Sequence, residues 1–485
     1  METINVFPGY TFNPYVGKRG ANMFRGEDVG FGGYVYAEPG IYSNVTCFDI
    51  VSAHINSIIN LNLFGDKYTK QVSEMLNLRV ALKHKDFDTA RKMFGGSVAE
   101  YLNDPSTAKS LSQALKIALN AQYGQTSASF DNLFRDKRNK NNIVALRGAL
   151  FMVTLRDEIQ SRGFTVVHIK TDSIKVVSPT KELSDFIFDF AKKYGYTFEI
   201  EHHFERICLV NDAVYIAKCA DDDPESPGEW TATGAQFQHP YVFKKLFSGE
   251  QTTFNDLCEA KNVSGGAIYL DMNEKFKVDE IEEELRRRKW NSNKKNKNKQ
   301  QMELNPEFLE DTDEELVDIL EKAHDYRFVG KTGLFVPIKQ GYGGGIMVRD
   351  KDGAYYAVTG TKGYRWLEAE TVVELHKEKD VDLDYHENLV SEAIADINEF
   401  GSFERFVDLS QPYEPPVDYF KAEQNTELEM LKHDDTDDSA PWDELPPVVP
   451  CGDPKYNTCL ECPNCKDDIC KNGYSLNAYI EKGAN

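Results

Sequence analysis

Asp49 and Asp172 lie far apart in the chain, and each stands at the edge of a run of strand formers. Asp49 follows Ser43-Asn-Val-Thr-Cys47-Phe48, and Asp172 sits between Phe164-Thr-Val-Val-His-Ile169 and Ile174-Lys-Val-Val177. Two carboxylates held on neighbouring strands suit magnesium, which prefers hard oxygen ligands completed by substrate phosphates. The chemistry open to such a pair is in-line displacement at phosphorus. Two divalent cations would share it, one acidifying the attacking hydroxyl and one holding the leaving pyrophosphate. A single aspartate between strands is ordinarily a turn residue, so the reading rests on the pair.

A triphosphate needs cations placed as rigidly as the carboxylates. The segment from Ser106 to Asn120 carries apolar residues at helical spacing, with Pro105 at its start and Ser/Thr where an N-cap is expected. On that helix Lys116, Asn120 and Tyr123 share one face. Read alone, the segment is a solvated amphipathic helix with Gly124 as its C-cap. Upstream, Arg79 and Lys83 are four residues apart and project from one helical face. Such a pair could clamp β- and γ-phosphates or could be a solvated surface pair.

Three segments in this order, Asp49-Ile-Val-Ser52-Ala53-His54, Lys116-Ile-Ala-Leu-Asn120-Ala-Gln-Tyr123-Gly124 and Lys170-Thr171-Asp172-Ser173, resemble motifs A, B and C of family B DNA polymerases. The Gly32-Gly33 segment resembles the strand that leads into the palm, where glycine lets backbone approach a template closely. Tyr215 stands where the family's Lys-x-Tyr motif meets the primer end. The specific resemblance covers roughly residues 25 to 245 and extends weakly to about 375, as in polymerases of bacteriophages. It implies that Asp49, Asp172 and Lys116 are catalytic. Asp49, Asp172 and the Ile50 carbonyl would hold two Mg²⁺ ions, with Mn²⁺ able to substitute. Ile50, Ser52, Ala53, His54, Arg79, Lys83, Lys116, Asn120, Tyr123 and Thr171 would bind the nucleotide. Gly32, Gly33, Gly124, Tyr215 and Lys170 would contact DNA.

The sequence departs from the family at three places. The first acid of motif C is Lys170, whose ammonium is expected to lower the pKa of Asp172. The tyrosine that usually excludes a ribose 2′-hydroxyl is His54, and the lysine of Lys-x-Tyr is Ala213. His54 keeps open a ribonucleotide-using or RNA-copying polymerase. Lys170 keeps open a non-catalytic polymerase-fold scaffold that binds DNA in a replisome. Only 48 residues precede Asp49, too few to bury the core of a 3′-5′ exonuclease. Polymerisation without proofreading is therefore expected, with any exonuclease on a separate chain.

The 485 residues carry a net charge of −23. DNA affinity depends on where cations sit rather than on their sum, and the acid excess lies toward the C-terminus. The strongest basic run, Arg286 to Trp290 continuing through Lys294 to Lys299, reads as a mobile loop that could touch phosphates. Residues 328–366 read as β structure with a hairpin at Asp352-Gly353. No apolar run is long enough to cross a bilayer and no secretory signal is present. A cytoplasmic location is expected, the host bacterial cytoplasm if the gene is a phage's. Cys47, Cys208, Cys219 and Cys258 read as reduced thiols. In the tail, Cys459, Cys462, Cys465 and Cys470, with Cys451 as a substitute, suit zinc, with an iron–sulfur cluster as runner-up.

The expected fold is α+β, a right-hand arrangement with an antiparallel-sheet palm, helical fingers and a mixed thumb-like region. The domains are read as palm lead-in and motif A (1–60), helical fingers with motif B (61–125), palm with motif C (126–220), a thumb-like β-rich region (221–408), an acidic Pro-rich linker (409–450) and a Cys-rich tail (451–485). The function implied is DNA-directed DNA polymerisation. Expected partners are primer-template DNA, dNTPs, a separate exonuclease chain and other replisome proteins, and no membrane.

Overall fold

The computed structural model describes residues 4–12, 23–29, 33–135, 139, 142–272, 277–293, 301–323, 325–339, 347–351, 353–361, 363–413, 465–466 and 469–470. The chain divides into two units, residues 1–416 and 417–485. The fold is α+β. Two small hairpins come first, β1 (Ile4–Phe7) with β2 (Tyr10–Phe12) and β3 (Met23–Phe24) with β4 (Glu27–Asp28).

A seven-stranded antiparallel sheet then organises the first unit. Its strands are β5 (Val35–Ala37), β6 (Gly40–Ile50), β7 (Val166–Lys170), β8 (Ser173–Val177), β9 (Phe198–Leu209), β10 (Tyr215–Cys219) and β11 (Trp230–Thr233), in the order β11-β10-β9-β6-β8-β7-β5. β6 and β9, the two longest, lie side by side near the centre. Their alternation is the reason: one face carries Phe48, Ile50, Ile174, Val176 and Phe198, buried in the main core. The other carries a smaller cluster of Val45, Cys47, Val167, Phe204, Ala217 and Cys219, followed by acids.

Helices α1 (Ala53–Asn60), α5 (Ile143–Gln160) and α6 (Lys181–Lys193) supply the main core. α5 is buried along almost its whole length, including Arg147 and Arg156. Between α1 and α5 lies a helical module of α2 (Gly65–Lys83), α3 (Phe87–Lys92) and α4 (Pro105–Thr126), packed around Leu78, Ala81, Leu82, Ala90, Leu102 and Ala108. The α4 N-cap is Asp104, which accepts from the Thr107 N–H at 2.8 Å and also from Ser106 and Thr107 hydroxyls. This corrects the expectation of a Ser/Thr cap: a carboxylate placed before Pro105 takes several donors at once. Gly124 is not a C-cap either, because α4 runs on through it to Thr126, where Thr126 is buried against Asn139.

Beyond the sheet, α7 (Ala235–Gln238) and α8 (Pro240–Phe243) pack with the later α12 (Leu383–Asn398) and α13 (Phe403–Val407) around Phe237, Val242, Ile397 and Phe406. β12 (Glu259–Asn262) pairs with β15 (Thr332–Ile338), which pairs with β18 (Arg365–Glu368). β13 (Ala267–Asp271) lies between β14 (Tyr326–Gly330) and β16 (Met347–Lys351), and β17 (Ala354–Ala357) completes that sheet. Among the described residues of 328–366 the β reading matches the backbone, and Lys351 faces Ala354 across the Gly353 turn. α11 (Ala369–Glu374) covers the core around Trp366.

The basic run is not a loop over Arg286 to Trp290. These residues belong to α9 (Lys277–Ser292), with α10 (Asp313–Ala323) packed beside it around Ile281 and Leu316. Glu282, Glu283 and Glu284 sit one turn ahead of Arg286, Arg287 and Arg288 and pair with them. Arg288 also binds Asp313 at 2.9 Å, so these cations are matched within the protein. Lys294 to Lys299 lie outside the described residues. Of residues 409–413, expected to begin a linker, 409–412 are exposed while Tyr413 is held to the sheet. Tyr413 is buried against Phe406, and its carbonyl accepts from Ser43 Oγ at 2.7 Å. In the second unit, β19 (Cys465–Lys466) and β20 (Ile469–Cys470) form a hairpin in which Cys465 faces Cys470. Cys451, Cys459 and Cys462 lie outside the described residues. Among the described residues no helix is long and apolar enough to cross a membrane.

Candidate active site

Asp49 is the penultimate residue of β6, flanked by Ser173 of β8 on one side and Glu199 of β9 on the other. β7 and β8 are joined by Thr171 and Asp172 alone, with Lys170 facing Ser173. Thr171 has φ 59°, a backbone setting that costs a β-branched residue energy and marks a constrained site. Its N–H donates to the Tyr34 carbonyl at 2.9 Å. A Cβ on Gly33 would meet Thr171 Oγ1 at 2.1 Å, so the close approach that needs this glycine is to the Thr171 turn. Gly32 lies outside the described residues. The turn sets Asp172 beside the end of β6, where its carbonyl accepts from the Ile50 N–H at 2.9 Å. The Ile50 side chain is buried in the main core.

The two carboxylates feel each other. Burial, then Asp172 and Glu201, push Asp49 up to about 8, with Lys83 pulling the other way. Burial also raises Asp172, with Glu201 adding to it and His54 opposing. This overturns the expectation for Lys170. Its exposed ammonium is not what governs Asp172; it acts instead on His168, which burial, Lys175 and Lys170 hold down at about 4.

Three groups here were not singled out from sequence. Glu199 and Glu201 come from β9, and a register shift opposite Cys47 and Phe48 leaves Glu201 beside Cys47, whose thiol reaches it at 3.6 Å. Lys175 of β8 is buried below the acids, 3.3 Å from His168 Nδ1 and 4.9 Å from the Tyr215 ring centre. Burial works against its charge, but Cys47, Tyr215, Glu201 and Asp49 outweigh that and raise its pKa. The signal was present as acids two apart in a strand and as a lysine amid valines. Tyr215 stands with Lys175 across its ring, although its own Lys-x-Tyr position is Ala213.

The helical module closes one side. Arg79 Nη1 donates to Ser52 Oγ at 2.5 Å; Ser52 holds φ 55° just before α1 and Ala53 is buried. Lys83 pairs with Glu199, and His84 Nε2 lies 2.9 Å from the same carboxylate. Burial alone would raise Glu199, but Lys83 and His84 hold it below the usual range. From α4, the Tyr123 ring lies 4.3 Å from the His54 ring, and its hydroxyl donates to Asn142 Oδ1 at 2.8 Å. Burial lowers the His54 pKa while Asp172 raises it, which places His54 near the acid turn. Lys116 and Asn120 are exposed further up the same helix.

Asp49, Asp172 and Glu201 share one place with a buried lysine and a histidine, and the two aspartates sit above their ordinary range. A hard divalent cation would stabilise their charged forms, so the donor set fits magnesium.

No known family profile matches the chain, and no curated protein matches it. Among solved structures it is similar to a family B DNA polymerase from the hyperthermophilic archaeon Pyrobaculum calidifontis, at 12% identity and a TM-score of 0.36. That similarity covers 78% of this chain and 46% of that one, so this chain spans less than half the length of the polymerase it matches.

Proposed function

We propose that the chain is a DNA-directed DNA polymerase, transferring dNMP from a dNTP to a primer 3′-hydroxyl. The observation that carries this reading is the meeting of Asp49, near the end of β6, with Asp172, in the β7–β8 turn beside it, next to a helix that presents Arg79 and Lys83. Asp49, Asp172 and the Ile50 carbonyl would hold magnesium, or manganese in its place, which supplies the acidified hydroxyl and the stabilised pyrophosphate. Arg79, Lys83 and Lys116 bind the triphosphate, with Lys83 exchanging the Glu199 carboxylate for phosphate. Tyr123 and His54 form one wall of the base and sugar pocket, with Asn120, Ser52, Ala53 and Thr171 around it. Tyr215, Lys170, Gly33 and Gly124 are assigned to primer-template contact. Lys175 holds Asp49 and Glu201 together when cations are released. The cysteine tail is assigned to zinc.

Primer extension with Mg²⁺ and dNTPs tests this, wild type against Asp172→Ala. Extension that disappears in the variant supports the reading. Tight primer-template binding without extension by wild type would favour the scaffold reading instead.

A further inference from the structure

A second cluster lies on the same sheet face as the acids, one step further from the turn. His202 of β9, Cys219 at the end of β10 and Asp223 in the following turn bring an imidazole, a thiol and a carboxylate within 4.8 Å of one another. Regular alternation along β9 would not do this. Between Lys218 and Cys219 the β9–β10 register shifts, so that Lys218 faces Arg206 but Cys219 faces Phe204. The shift resets the side-chain alternation, and Phe204 and Ile207 then share one cluster with Ala217 and Cys219. His202, two residues from Phe204, is stacked on it at 5.2 Å.

Asp223 is almost fully buried and heavily bonded. Its Oδ1 accepts from the Glu225 and Ser226 N–H groups at 3.0 and 2.6 Å, and its Oδ2 accepts from the His203 N–H at 2.7 Å. A carboxylate offers about four lone-pair directions, so these three bonds leave about one. Two further groups face it: His202 Nδ1, 3.2 Å from Oδ2, and the buried Cys219 thiol. Burial and Asp223 push that thiol up to about 12, so without a cation it stays protonated.

We propose that His202 Nδ1, Cys219 Sγ and Asp223 Oδ2 form a zinc site, with water as fourth ligand reaching it past His202, whose side chain is 16% exposed. The donor set is one soft thiolate, one imidazole and one carboxylate, the mixture that zinc takes. Ligand atoms on one tetrahedral zinc lie about 3.3 Å apart for N and O, close to the 3.2 Å between His202 and Asp223. Binding replaces the thiol proton, which leaves to water, while the imidazole keeps its proton on Nε2. Zinc with one thiolate and one carboxylate is neutral overall, which favours burial. The ion would staple the turn after β10 to β9, behind the carboxylates of the candidate active site.

The test is the zinc content of the full chain, loaded with zinc and then freed of excess, for wild type and for His202→Asn, Cys219→Ala and Asp223→Asn. Each variant is expected to hold about one zinc fewer than wild type, whatever the cysteine tail carries. In the cobalt-substituted protein a thiolate-to-cobalt charge-transfer contribution should be lost in Cys219→Ala. Equal zinc in wild type and in the His202 and Cys219 variants would overturn the site. If Asp223→Asn fails to fold, because its side chain also caps the turn, the other two variants decide. Metal content does not depend on primer extension, so this site and the polymerase reading fail or stand separately.

Discussion

Lys83 at the end of α2 is ion-paired with Glu199 of β9, the residue directly opposite Asp49 in the sheet. The contact joins the helical module to the strands of the candidate site through a residue that would serve the triphosphate. A pair this exposed contributes little to folding, so Lys83→Ala should cost under about 1 kcal/mol of stability. Its effect on nucleotide should be larger, raising KM for dNTP roughly tenfold with a smaller change in kcat, as expected for loss of a charge-assisted phosphate contact. Thermal melts and steady-state extension measure the two separately. Equal small effects on both would make Lys83 a surface residue.

Asp49→Asn should abolish extension, by at least about a thousandfold, through loss of a carboxylate at the reacting centre. The same variant should be more stable than wild type at pH 8 in the absence of divalent cations. The sign follows from the shift. Asp49 in the folded protein is raised to about 8 from an ordinary aspartate value near 4, so the folded state binds the proton more tightly. Stability attributable to Asp49 is present below that lower value and is lost as pH rises through about 8. Melting temperature against pH, with EDTA present, should fall less steeply in Asp49→Asn. Added Mg²⁺ should restore wild type at pH 8 and leave the variant unchanged.

The His54 and Tyr123 rings, 4.3 Å apart, form a wall where the sugar would lie. His54→Ala removes it, and the ratio of ribonucleotide to deoxyribonucleotide use should rise roughly tenfold, the scale of a lost steric contact. Tyr123→Phe removes the bond to Asn142 and should cost about 1 kcal/mol of stability. An unchanged nucleotide ratio in His54→Ala would remove His54 from the pocket.

Arg206 is fully buried and donates to the carbonyls of Phe406, Asp408 and Gln411 at 3.1, 2.9 and 3.1 Å. It ties α13 and residues 408–413 to the sheet. Arg206→Met leaves those carbonyls without their donor and should cost about 3–5 kcal/mol. Limited proteolysis should then cut near 403–413 before the rest of the chain. A variant as resistant as wild type would show that the segment is held by its apolar contacts and the Ser43 bond to Tyr413.

The residue types of the candidate site were legible in the chain, because a carboxylate between strand formers, or a basic pair four apart in a helix, states its local setting. The α2 and α4 helices, the β7–β8 turn and the β structure of 328–366 follow from that local chemistry, as does the start of α4 at Pro105. Beyond the meeting of Asp49 and Asp172, the sequence did not reveal which strands would be neighbours. Glu199, Glu201 and Lys175 join Asp49 only because β9 and β8 flank β6, a pairing set by burial of one apolar face across residues far apart. Lys170 looked like the partner of Asp172 because it is close in sequence, yet strand alternation turns it toward His168. The Arg286 to Arg288 run looked free until α9 set each arginine one turn after a glutamate. His202, Cys219 and Asp223 meet through a one-residue register shift, a property of two strands together that neither strand states alone.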